Sequence, residues 1–112
     1  MSNRKEQLDS FFSGLKAMGN ESPDSTNAFM NLLKTTYSPG ALSVKMKELI
    51  SVAIGCYARC EYCIVYHVNE ALKSGATREE IIDAAMVSVA FGGGPSMAYA
   101  VIALKETLDE FA

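Results

Sequence analysis

The chain has 112 residues, 49% of them hydrophobic, no tryptophan, and a formal net charge of −3. That length makes a single domain, residues 1–112, with a real but modest core. The acidic balance and the lack of a basic run argue against nucleic acid or an anionic membrane as partner. No N-terminal basic-then-apolar segment reads as a signal peptide, and no apolar run is long enough to span a bilayer, so the expected location is the cytoplasm.

Leu8, Phe11, Phe12, Leu15 and Met18 recur at helical spacing and predict a first amphipathic helix. Asn3 and Glu6 resemble a capping box at its start, and Gly19-Asn20 is expected to end it. Ser22-Pro23 opens a second helix, with Phe29, Leu32, Leu33 and Tyr37 as its expected buried face. Ser38-Pro39-Gly40 is a turn. Ser43 caps a third helix whose apolar members are Val44, Leu49, Val52, Ala53 and Cys56, with Glu48 among them. A bend near Ala58-Arg59 separates it from a fourth helix, begun by Cys60 and stopped by Gly75. Thr77-Arg78-Glu79-Glu80 is a capping box for a fifth. Ile81, Ile82, Ala85, Met86, Val89 and Ala90 cover most of that helix's circumference and predict a central position. Gly92-Gly93-Gly94-Pro95 breaks the chain, and a last helix carries Val101, Leu104 and Leu108. No alternating strand pattern of useful length occurs. The Ile50–Cys56 run fits a buried strand by periodicity alone, but its neighbours favour helix. The fold expected is all-α, a compact bundle of about six helices.

The chemistry concentrates between Cys56 and His67, which enclose all three cysteines and the only histidine. Cys60 and Cys63 form a Cys-x-x-Cys pair, whose sulfurs can close a disulfide at the start of a helix. His67 lies four residues after Cys63, so the two share a helical face. A thiolate at a helix start is favoured by unpaired N–H groups and the dipole. One thiolate can be oxidised to a sulfenic acid and the other can condense with it. The competing reading is a metal clip of Cys56, Cys60, Cys63 and His67. Structural zinc sites usually draw their ligands from two separate places, and no second cluster exists here, so no metal is assigned. Glu48 reads evenly as a solvated glutamate beside Lys45 and Lys47, or as a partly buried carboxyl that relays the His67 proton. Cys56 reads as a buried spectator or a second partner for oxidised Cys60. Tyr57, Tyr62 and Tyr66 read first as packing residues. The triple glycine is no phosphate loop, because neither a following Lys-Ser/Thr nor a preceding strand is present.

With those residues in place, the sequence resembles the AhpD-like alkylhydroperoxidases of the carboxymuconolactone decarboxylase superfamily. Glu48, eleven intervening residues, Cys60-Glu61-Tyr62-Cys63, three residues and His67 carry the likeness. Residues 43–50, Gly75–Ile81 and Gly93–Ala98 support it, and it spans about residues 40–105. The resemblance implies a helical fold that associates into dimers, trimers or hexamers. It implies that Cys63 attacks a small-molecule hydroperoxide, Cys60 resolves the product, and His67 with Glu48 relays the proton. It also implies a dithiol reductant protein, lipoylated or thioredoxin-like; no cofactor is assigned. Tyr62 departs from members that carry a histidine beside the attacking cysteine. Two other classes compete with the peroxidase reading: a non-enzymatic thiol redox or metal sensor, and a lactone or keto-acid enzyme that would act without the cysteines.

Overall fold

The computed structural model describes residues 3–112 as an all-helical bundle, with no strand among the described residues. Its elements are α1 (Asn3–Glu21), α2 (Pro23–Thr36), α3 (Val44–Tyr57), α4 (Glu61–Lys73), α5 (Arg78–Gly92) and α6 (Gly94–Tyr99). A π-helical stretch, Ala100–Leu104, carries α6 without a break into α7, Lys105–Phe111. The six expected rods are therefore present. Ile50–Cys56 is helix rather than strand.

The caps explain most boundaries. Pro23 stands in the first turn of α2, where a missing N–H costs nothing. The Ser43 hydroxyl accepts from the Met46 N–H at 3.1 Å. Thr77 and Glu80 exchange both bonds of a capping box, at 3.1 and 2.9 Å. Gly75 (φ +92°) and Gly93 (φ +63°) take backbone conformations that L side chains avoid, and end α4 and α5. Gly19-Asn20 does not end α1, which runs on to Glu21. One glycine inside a helix costs only about 1 kcal/mol, and the stop comes from Ser22-Pro23.

α3 packs most extensively against α4 and α5. The core gathers Val52 and Cys56 from α3, Ile64, Val68 and Ala71 from α4, and Ile81 and Ala85 from α5. Ala103, Leu104 and Leu108 close it from the last rod. Each fully buried Ile or Leu contributes roughly 1.5–3 kcal/mol. Two expectations about faces do not hold within this chain. α2 buries none of its residues: Phe29 and Leu32 are exposed, and Leu33 and Tyr37 are half-buried. α5 is buried on one face only, through Ile81, Ala85 and Ser88, while Ile82, Met86, Val87 and Phe91 face outward. Val101 is also exposed.

Candidate active site

The turn between α3 and α4 sets the cysteines. The Cys60 N–H donates to the Gly55 carbonyl at 3.0 Å and the Arg59 N–H to the Cys56 carbonyl at 3.2 Å. This is a Schellman motif, with Arg59 in the left-handed position at φ +56°. It delivers Cys60 directly to the N-cap of α4, where its sulfur accepts from the Cys63 N–H at 3.2 Å. Cys60 and Cys63 are joined as a disulfide, their Cα atoms 5.2 Å apart. Both are half-buried. Gly55 allows α3 to press this close: a Cβ there would come within 3.3 Å of the Ile64 side chain and 3.5 Å of the Cys63 Cβ.

One turn further along α4, His67 Nδ1 lies 2.7 Å from Glu48 Oε1 across the α3–α4 interface. Glu48 is 3% exposed, so the burial reading of this residue is the correct one. Position decides it: Glu48 stands one turn before Val52, on the face of α3 turned to α4. An ionised Glu48 fixes Nδ1 as the protonated nitrogen and leaves Nε2 on the far edge of the ring to accept or return a proton. Glu48, Cys60, Cys63 and His67 therefore occupy one region around the α3–α4 contact.

Sequence reasoning missed the lining of this site. Tyr37, at the end of α2, lays its ring over His67 at 5.4 Å between centroids. Its hydroxyl bonds to Ser51, whose own proton goes to the Lys47 carbonyl at 2.8 Å, so Tyr37 donates. Burial pushes the Tyr37 hydroxyl pKa up; the Ser51 bond opposes this and the Glu48 charge adds to it. Lys47 holds the same corner by donating to the carbonyls of Thr36 (2.8 Å) and Ser38 (2.6 Å), and Lys45 pairs with Glu80 at 3.0 Å. Neither lysine is merely solvated. Tyr66 meets the His67 ring edge-on at 4.9 Å and is flanked by Phe11 (5.9 Å) and Phe12 (6.0 Å) from α1. Phe11 also lies 6.5 Å from Tyr62, the residue inside the cysteine pair. Phe11, Phe12 and Tyr37 come from the first forty residues, where no local pattern pointed to a site on α3 and α4.

Cys56 is fully buried in the core, and burial pushes its thiol pKa up to about 11. A thiol in that state is a poor nucleophile. Among the described residues, no group of three or more His, Cys, Asp or Glu side chains comes together as a metal site. No helix there is long and apolar enough to cross a membrane.

Comparison with known proteins follows the same outline. An uncharacterized protein of Cupriavidus necator is 35% identical over 88 residues, covering 79% of this chain and 78% of its own. Uncharacterized protein 4 in the cox locus of Paracoccus denitrificans is 39% identical over 84 residues, 75% of each chain. The crystal structure of an apo carboxymuconolactone decarboxylase family protein from Legionella pneumophila superposes with a TM-score of 0.93 at 30% identity, covering all of both chains. A Thermotoga maritima member, for which a role in the antioxidative response has been suggested, gives 0.69 at 33% identity over 76% of this chain and 88% of its own. The carboxymuconolactone decarboxylase family model itself matches residues 23–106. This chain belongs to the carboxymuconolactone decarboxylase family.

Proposed function

We propose that this protein is a thiol-dependent hydroperoxide reductase working through the Cys60–Cys63 pair. The observation that carries the reading is the Glu48–His67 pair one helical turn beyond two cysteines close enough to be bonded. In the reduced protein, His67 Nε2 takes the Cys63 proton, and the thiolate attacks the distal oxygen of the hydroperoxide. The O–O bond breaks, Cys63 becomes a sulfenic acid, and the alkoxide recovers the proton from His67 to leave as an alcohol. The Cys60 thiol then displaces hydroxide from the Cys63 sulfur; the disulfide forms and water is lost. A dithiol carrier, lipoylated or thioredoxin-like, returns two electrons and two protons by exchange. The aromatic wall of Phe11, Phe12, Tyr37 and Tyr66 suits an organic hydroperoxide better than a small hydrated one. Self-association is part of the same proposal.

The test is a thiol count. Reduced protein, freed of reductant, receives one equivalent of an organic hydroperoxide. Two thiols should disappear as a Cys60–Cys63 bond mapped by mass, and Cys63→Ser should form none. His67→Gln should slow the loss by about a hundredfold or more while the helical spectrum stays the same. Thiols untouched over minutes would defeat the peroxidase reading. Chemistry that survives removal of both cysteines would assign the site to a lactone or keto acid instead.

A further inference from the structure

Arg4 is a charged residue buried at the start of α1, 8% exposed, and the redox chemistry above does not use it. Its Nη1 donates to Glu61 Oε1 at 2.6 Å and to Gln7 Oε1 at 2.9 Å, and its Nε donates to Glu106 Oε1 at 3.2 Å. The backbone N–H groups of Arg4 and Lys5 donate to the Glu110 carboxylate at 3.1–3.2 Å. α1 is thus pinned at one point to α4 and α7. Glu61 is the first residue of α4 and stands between Cys60 and Cys63. The Arg4 bond holds its carboxyl below the usual glutamate range, against the partial burial that would raise it.

A carboxylate inside a Cys-x-x-Cys turn opposes a thiolate at either sulfur. The disulfide carries no such charge, so Glu61 bears on the reduced form alone. A guanidinium that neutralises this carboxylate therefore favours the dithiol. We propose that Arg4 is a positioning residue of the redox turn: through Glu61 it fixes the first turn of α4 and sets the thiol–disulfide equilibrium of Cys60 and Cys63. The inference rests on the dithiol reading of that pair, though not on peroxide being the oxidant. The charged groups at the turn are Glu61, Arg4 and Glu106, with Lys5 and Glu110 behind them and Arg59 on the preceding turn.

The test equilibrates the full chain with mixtures of reduced and oxidised glutathione. In that exchange the protein dithiol plus one glutathione disulfide gives the protein disulfide plus two glutathiones. Alkylation and mass then give the oxidised fraction. At a pH above the thiol pKa, Arg4→Gln should move the equilibrium about three- to tenfold toward the disulfide, the size of a 0.5–1 unit rise in thiol pKa. Arg4→Lys, which keeps the charge, should recover most of that shift. Glu61→Gln should move the equilibrium toward the dithiol, and in that background Arg4→Gln should shift it less than in the wild type. Glu106→Gln removes the charge of the other arm, which does not stand between the cysteines, and should move the equilibrium less than Glu61→Gln does. An unchanged constant in Arg4→Gln, or an equal shift with and without Glu61, would overturn the role of Arg4. If Arg4→Gln does not fold, Glu61→Gln still decides: no shift toward the dithiol in that variant overturns it. A wild-type pair that never forms a disulfide would overturn the dithiol reading, and this inference with it.

Discussion

Cys56 shows what burial does to one side chain. In the folded chain its thiol titrates near 11, while an unfolded thiol titrates near ~8.5. The folded value is the raised one, so the stability linked to this group is complete below about pH 8.5. It is lost as pH rises toward 11, at up to about 1.4 kcal/mol per pH unit. Denaturation midpoints of the wild type should therefore fall from pH 8 to pH 10 more steeply than those of Cys56→Ala. Parallel pH profiles would show that the thiol is not sheltered. The same burial predicts no reactive thiol in the oxidised native protein at pH 8 and one after denaturation. Glu48 was harder to read. Its helix is apolar on several faces, with Leu49, Ile50, Val52, Ala53 and Ile54 in succession, so periodicity could not tell which face turned inward. Only the position of α4 resolves that. The cysteines and His67 were legible because their spacing along one helix is enough to relate them. Arg4, Tyr37 and Ser51 were not, because each reaches the site from a different rod.

Two turns between helices repeat one hydrogen-bond scheme with different residues at the left-handed position. After α4, the Gly75 N–H donates to the Leu72 carbonyl and the Ala76 N–H to the Ala71 carbonyl, at 3.1 and 2.9 Å. After α3, Arg59 and Cys60 make the equivalent bonds, but Arg59 holds φ +56° with a side chain attached. That conformation costs an L residue roughly 1–2 kcal/mol, partly offset by the greater freedom of glycine when unfolded. Arg59→Gly should therefore range from neutral to about 1 kcal/mol more stable, and Gly75→Ala should be about 1 kcal/mol less stable. A Cβ at Gly75 would meet no atom within 4 Å, so that loss is conformational rather than steric. Urea midpoints at constant slope read both changes. A clear loss in Arg59→Gly would mean the arginine side chain contributes more than its strain costs. Capping boxes, the N1 proline and the stop at Gly75 were legible because each is a local bond or dihedral requirement. The π stretch at Ala100–Leu104 has no such mark; neither proline nor glycine announces it, and the Thr107 hydroxyl takes up the Ala103 carbonyl at 2.6 Å.

At the scale of the whole chain, the apolar faces outnumber the surfaces available to cover them. The bundle measures 38 × 38 × 24 Å with a radius of gyration of 14.2 Å, against about 13 Å for a compact domain of this length. α2 packs mainly on α1 and leaves Phe29 and Leu32 (60% exposed) in the open. Between α3 and α5, a groove of about 220 Å³ is lined by Ala53, Ile54, Tyr57, Val87, Ser88 and Phe91, and Phe91 is 82% exposed. Apolar patches of this kind on a small domain mark interaction sites. The proposed self-association therefore predicts a light-scattering mass that is a multiple of 12.1 kDa. Ile54→Asp with Phe91→Asp should lower that mass while leaving the helical spectrum intact, because neither side chain belongs to the core. A wild-type mass of one chain would end the proposal, and an unchanged mass in the double variant would move the interface to α2, where Leu32→Asp tests it. That second outcome would reach the chemistry. α2 ends at the residue before Tyr37, whose ring covers His67, so a helix steadied only by a neighbouring copy would steady the imidazole too. Leu32→Asp would then slow Cys60–Cys63 bond formation as well as reduce the mass, whereas a purely structural contact would change the mass alone.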